Sequence, residues 1–255
     1  MEGFRVVSTS ERAILPAANK GDEVMKYLSI GSNAKTVKSD KGGEYLTAIM
    51  YMMPSKVLCP MSELAQCSEA CLVTAGRGAM SNVSAARQKK SDAFLADPVN
   101  FIDQLCEDII EALRKASKLG VKLAVRLNGT SDIAWENQKG STGFTLMETF
   151  PEVQFYDYTK LPGRQVPSNY HLVASYSGAN PAYAAKVLKS PLNWSVVFSG
   201  DLPSVWNGRP VVNGDLNDLI FMQPSGVVIG LSAKGKAKKD TSGFVVNPDV
   251  IAIAA

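Results

Sequence analysis

PVNFIDQLCEDIIEALRKASKLG (98–120) runs directly into KLAVRLN (122–128), and this junction constrains the fold more than any other stretch. Apolar residues recur at Phe101, Ile102, Leu105, Ile109, Leu113, Ala116 and Leu119, the spacing of a single helical face. Pro98 suits a first helical turn and Gly120 a helix stop. A helix with one apolar face has to be laid on something apolar. The continuous apolar run that follows is the natural candidate: a strand buried on both faces. Helix then buried strand is half of a strand–helix–strand unit, which builds a parallel sheet.

Other stretches repeat the pattern. YLTAIMYM (45–52), closed by Pro54, reads as a first buried strand. VQFYDYT (153–159), YHLVASYS (170–177), WSVVFS (194–199), PVVNG (210–214), LIFM (219–222) and VVIGLSAK (227–234) read as later strands. SNVSAARQKKSDAFLADP (81–98), with Ser81 as N-cap, and NPAYAAKVLKS (180–190) read as helices between them. Seven or eight strands of this kind predict an α/β chain with a TIM-like (β/α) barrel. No GxGxxG turn argues for an open doubly wound sheet instead. Residues 1–43 are polar and rich in Gly, Ser and Lys, and read as an N-terminal extension; 44–255 read as one barrel domain.

Composition narrows the class of function. Apolar residues make up 45% and charged residues 20%, the balance of a globular domain. The net charge of +3 permits a polyanionic partner without requiring one. No run of eighteen apolar residues occurs, so no membrane span is expected. The N-terminus lacks the pattern of a secretory signal, which predicts a cytoplasmic protein whose cysteines are thiols.

CPMSELAQCSEAC (59–71) holds three of the four cysteines, spaced Cys-x7-Cys-x3-Cys directly after the first strand. On a helix, Cys67 and Cys71 would share one face, and Cys59 could join them through the loop opened by Pro60. Three soft sulfur ligands from one segment suit a [4Fe–4S] cluster, or zinc if a fourth ligand closes the site. Buried core thiols and a disulfide are the plain alternatives, the second disfavoured in a reducing compartment. His171, the one histidine, is either the fourth ligand or an ordinary strand residue.

Basic residues gather near the cysteines and after predicted strands: Arg77, Arg87, Lys89 and Lys90; Arg126 with Asn128; Lys160 and Arg164; Lys234, Lys236, Lys238 and Lys239. Trp135, Tyr158, Tyr170, Tyr176 and Trp206 offer stacking faces nearby. Cations with interleaved aromatics form a surface for single-stranded nucleic acid, although such runs are commonly solvated faces and such aromatics commonly core. RLNGTSD (126–132) is either a functional strand end or simply a good turn.

CPMSELAQCSEACLVTAGRG, NVSAARQKKSDAF, LAVRLNGTSDIAWE, FYDYTK, NYHLVASYS and DLIFM…GVVIGLSAKGKAKKDTSGFVV, in that order, resemble the phage gene product 88 family over roughly residues 28–247. The resemblance implies a phage-encoded protein acting in the host cell. A strand followed by three cysteines also resembles, distantly, the radical S-adenosylmethionine enzymes, barrels whose [4Fe–4S] cluster is held by three cysteines. That superfamily has spacings of x3 and x2 where this chain has x7 and x3, and the GGE at 42–44 precedes the cysteines instead of following a later strand. The expected function is an iron–sulfur barrel protein that binds single-stranded DNA in phage DNA metabolism. The alternative is a radical S-adenosylmethionine-like enzyme using the same cluster, with S-adenosylmethionine as its cofactor.

Overall fold

The computed structural model describes residues 25–31, 36–37, 40–41 and 43–248. The junction read above is present. Helix α2 (Pro98–Lys118) delivers the chain to strand β3 (Lys122–Arg126). Asp97 caps the helix by accepting from the Asn100 N–H at 3.0 Å. Gly120 ends it at φ +69°, a backbone conformation that favours glycine. Phe101, Ile102, Leu105, Ile109, Ala112 and Ala116 are buried along one face, and each large apolar side chain so removed from water contributes roughly 1.5–3 kcal/mol. Cys106 lies on that same buried face.

Among the described residues, nine strands form one mixed sheet in an α/β arrangement: β1 (Leu28–Ile30), β2 (Tyr45–Met50), β3, β4 (Gln154–Thr159), β5 (Tyr170–Ser175), β6 (Trp194–Phe198), β7 (Val205–Trp206), β8 (Arg209–Asn213) and β9 (Val228–Ser232). The spatial order is β1-β2-β3-β4-β5-β6-β9-β8-β7. The run from β2 to β8 is parallel throughout, and β1 and β7 add antiparallel edges. The sheet is not closed, because β1 and β7 do not pair with each other. Among the described residues no helix is long and apolar enough to cross a membrane.

The pairing register sorts side chains onto two faces. One face carries Leu46, Ala48, Met50, Leu123, Val125, Phe155 and Leu172 against α2, and Trp194, Val196, Phe198 and Val228 against Tyr183 and Val187 of α3 (Pro181–Leu188). The opposite face carries Ala124, Tyr156, Val173 and Ile229 against Leu219 and Ile220. Residues 215–222 therefore run across this second face. Asp218 meets Arg126 at 3.2 Å and Tyr156 at 2.9 Å, and Phe221 packs edge-on against Tyr45 at 5.1 Å.

Several expectations are corrected. LIFM (219–222) is no strand: Ile220–Met222 is a 3₁₀ turn, because side chains packed flat on a sheet face leave no edge for the backbone to pair with. The folded unit begins before residue 44, since β1 pairs with β2, Tyr27 stacks on Phe101 at 4.0 Å and Lys26 bonds Glu111. A three-residue, half-buried strand is too short to show a period. Residues 1–24 of the expected extension lie outside the described residues. Ser81 is the first residue of α1 (Ser81–Ala96) and not its cap; extended Met80 precedes it and makes no side-chain bond.

Candidate functional site

In a parallel sheet the loops leaving the carboxyl ends of the strands lie together, and ligands bind there. The three-cysteine segment follows β2 and is laid across that end by bonds to several other strands' loops. The Gly129 N–H donates to Met50 O at 3.0 Å, and the Asp132 N–H donates to Leu58 O at 2.8 Å. Thr130 Oγ1 donates to Met52 O, and Ser177 Oγ, beyond β5, donates to Ala65 O at 2.7 Å. Beyond β9 the Lys236 N–H reaches Thr74 Oγ1 at 3.4 Å, and Ala237 packs with Ala70, Cys67 and Phe244. Gly129 lies so close to β2 that a Cβ there would stand 2.5 Å from Met50 O.

The segment is not the helix that the Cys67–Cys71 spacing suggests. It is a chain of turns: Cys59 N–H to Ser55 O, Ala65 N–H to Met61 O and Cys71 N–H to Ser68 O. Gln66 stands at φ +48°, which interrupts helical winding immediately before Cys67. The three thiols nevertheless come near one another. Burial first, then the neighbouring Cys71, Asp132 and Cys67, push the Cys59 thiol up to about 12. Burial also raises Cys71, with Cys67 adding to it and a bond from the Val73 N–H, Lys160 and Arg87 opposing it. All three thiols are half-buried, Cys59 Sγ donating to Thr130 O at 3.9 Å and Cys67 Sγ to Ser62 O at 3.8 Å.

Among the described residues, no three His, Cys, Asp or Glu side chains already stand in a metal-ligating arrangement. Thiols are the donor type a thiophilic metal takes, but these three do not form such a centre among the described residues.

His171 is not brought to the thiols. It is the second residue of β5, four residues or about 13 Å of strand away from the end that faces them. Burial lowers its pKa, and its Nε2 is buried without a partner.

The basic candidates divide sharply. Lys90 is buried, its ammonium on Tyr27 O at 2.7 Å. Arg126 is buried between Asp218 and Asp157, with Tyr158 beneath its guanidinium at 4.7 Å. Asn128 is a buried hub: its side-chain oxygen accepts from Ser131 Oγ, the Ile133 N–H and the Trp135 indole. Arg164 forks onto Glu136 at 2.9 and 2.6 Å. Arg87 is buried as well. These five serve the interior. Arg77, Lys89, Lys238 and Lys239 are exposed, Lys160 is half-buried over Phe244, Lys234 pairs with Asp215, and Lys236 lies 3.8 Å from Glu69. The 3₁₀ turns Gly76–Ala79 and Gly235–Lys239 adjoin through Gly235 against Ala75, so Arg77 and the last lysines are carried on neighbouring turns.

The stacking candidates are mostly inside. Trp135 is fully buried against Phe94 and Phe101, and Tyr170 is buried and bonded to Asp157. The Tyr158 hydroxyl is buried without a partner. Tyr176 and Trp206 pack edge-to-face at 4.7 Å, half-buried. The sequence reading missed Ser177 and Thr130 as anchors of the cysteine segment; both bonds join residues too far apart in sequence for any local pattern to mark.

Neither a curated protein nor a solved structure matches the chain significantly. The model of the family described as Gene product 88 matches residues 25–248, which span all nine strands and the three cysteines. The chain belongs to the Gene product 88 family.

Proposed function

We propose that the protein carries a [4Fe–4S] cluster on Cys59, Cys67 and Cys71 and binds single-stranded DNA along the adjoining basic rim, in phage DNA metabolism. The observation that carries this reading is that three cysteines lie in one segment held across the carboxyl end of a parallel sheet by bonds to the loops beyond β3, β5 and β9. Zinc at the same sulfurs is the lesser alternative. The rim of Arg77, Lys236, Lys238 and Lys239 supports the nucleic-acid partner; the buried Trp135 and Tyr170 take no part in it.

Protein purified without oxygen is expected to be brown, with iron and sulfide in equal amounts, and Cys67→Ala is expected to lose the colour. A colourless protein containing zinc or no metal overturns the cluster. On the same preparation, affinity for an oligonucleotide is expected to fall steeply as salt rises, because each phosphate contact releases counterions. Affinity that ignores salt, or is absent at low salt, overturns the DNA reading.

A second reading is favoured by the strand order. From β2 to β6 the parallel strands follow chain order, as in a TIM-like barrel left open, and the cysteines leave the first of them. That arrangement supports a radical S-adenosylmethionine-like enzyme. Cleavage of S-adenosylmethionine by the chemically reduced, cluster-loaded protein tests it; an intact cofactor beside an intact cluster rejects it.

A further inference from the structure

At β6 the order of the sheet reverses. Each strand from β2 to β6 is added beyond the one before it, but β9 is inserted between β6 and β8. The chain leaving β6 therefore runs outward past β9 and β8 to β7, turned by Gly200 at φ +94°. The chain leaving β9 turns back over β6: the Ala233 N–H donates to Phe198 O at 3.0 Å, and Val246 bridges to Phe198. Where carboxyl-end connections part in this way, an open α/β sheet has a crevice in which ligands bind. This sheet has a groove of about 520 Å³ there, lined by residues 200–204, Val211, Asn213 and Ser232. That volume is in the range of small-molecule sites. None of these residues belongs to the cysteine segment or to the basic candidates.

The floor of the groove is Gly230. The register sets Asn213 directly opposite Gly230, and Ser232 follows two residues along, so both side chains stand on the glycine's side of the sheet. A Cβ at Gly230 would lie 2.7 Å from Val211 Cγ1 and 3.2 Å from Leu202 Cδ2, which form the apolar base. Asp201, Ser204 and Ser232 are exposed, and their side chains have no partner among the described residues. Asn213 Oδ1 accepts from the Asp215 N–H at 2.9 Å, which leaves the amide Nδ2 to donate. Lys234, just past β9, is tied to Asp215 at 2.6 Å. The free charge is thus negative, which disfavours phosphate and carboxylate ligands. One carboxylate is few for a divalent cation, which gathers several charged oxygens. An accepting carboxylate, a donating amide and two hydroxyls above Leu202, Pro203 and Val211 match a ring with hydroxyls on its edge and C–H groups on its face.

We infer that this groove binds a sugar through a pair of vicinal hydroxyls, with Asp201 accepting from both and Asn213 donating to one. The ring is the ribose of a nucleoside or that of a carbohydrate, and the test separates the two. Amide NMR spectra of the isotope-labelled full-length protein are recorded as adenosine, 2′-deoxyadenosine or methyl mannopyranoside is added. Saturable shifts centred on residues 200–204, Asn213 and Ser232 are expected with adenosine or with the mannoside, and the one that binds gives the source. Where adenosine binds, 2′-deoxyadenosine, which lacks the hydroxyl pair, is expected to bind at least about 10-fold more weakly. Asp201→Ala is expected to weaken binding at least about 10-fold, the loss of hydrogen bonds to a charged acceptor. Ser232→Leu, which puts an apolar side chain into the groove, is expected to abolish it, and Glu107→Gln, on the exposed side of α2, to match the wild type. Asp201 and Ser232 are exposed, so an unchanged melting temperature in both variants separates lost binding from lost folding. No saturable shift from either adenosine or the mannoside at millimolar concentration overturns the inference. So does 2′-deoxyadenosine bound as tightly as adenosine, or an Asp201→Ala protein that binds as the wild type does.

Discussion

Arg126→Met is expected to destabilise the protein by about 3–5 kcal/mol, the usual consequence of stripping one partner from a buried ion pair. Asp218, 1% exposed, would lose the guanidinium 3.2 Å away, and Asp157, fully buried, the one 3.9 Å away. The loss should grow with pH. Burial already holds the Asp157 carboxyl up, from its ordinary 3.8 to about 7, against the opposing pull of Arg126, Tyr170, the Asn128 N–H and Arg164. A carboxyl whose folded pKa lies above its unfolded one keeps its proton while the unfolded chain releases it. Its contribution to stability therefore declines from about pH 4 to pH 7 and is level above that. Without Arg126 the Asp157 carboxyl binds its proton still more tightly in the folded state. The variant should lie closer to wild type at pH 5 than at pH 8, as read by urea denaturation at the two values. A pH-independent loss would show that the ion pair contributes only packing. The double variant Arg126→Met, Asp218→Leu removes the closer pair but leaves Asp157 without its cation and the Tyr156 hydroxyl without its acceptor, and is expected to regain only part of the stability.

Asn128→Ala is expected to lose at least about 4 kcal/mol, because it orphans several buried groups at once. Its side-chain oxygen accepts from the Ile133 N–H at 2.9 Å, Ser131 Oγ at 2.8 Å and the Trp135 indole at 3.1 Å; its amide donates to Ile133 O. Each buried donor left unpaired costs about 1–3 kcal/mol. Asn128→Asp, which keeps the acceptors, should fare little better, because its carboxylate would face Asp157, to which the amide now donates at 3.3 Å. Since Asn128 shapes the turn that holds Thr130 and Asp132 against the cysteine segment, both variants should also loosen that segment, as read by faster hydrogen exchange there. A melting temperature within a degree or two of wild type would refute the hub.

These two residues show where the sequence is informative. RLNGTSD reads as a strand ending in a turn, and it is one, but whether Arg126 and Asn128 face solvent depends on Asp218 and Asp157, which are 92 and 29 residues away. Long-range pairing of this sort leaves no local pattern. The lysine and arginine candidates fail or survive for the same reason: a guanidinium reads alike whether it faces solvent, as Arg77 does, or forks onto Glu136, as Arg164 does.

Local physics was sufficient for the elements themselves. The apolar stripe of Phe101 to Ala116 with Asp97 and Gly120 at its ends, and the doubly buried runs of β2 to β6, are properties of neighbouring residues and could be read along the chain. So could the concentration of three cysteines after β2. The tertiary structure decided the rest. It left the sheet open at β1 and β7, laid residues 215–222 across one face where LIFM looked like a strand, and replaced the expected Cys67–Cys71 helix with turns. It turned Arg87 and Arg126 into the interior and left His171 toward the opposite end of β5. The physical reason is common to all of these: periodicity reports which face of an element is apolar, whereas the partner of a buried charge, thiol or sheet face is chosen by contacts between segments far apart in the chain.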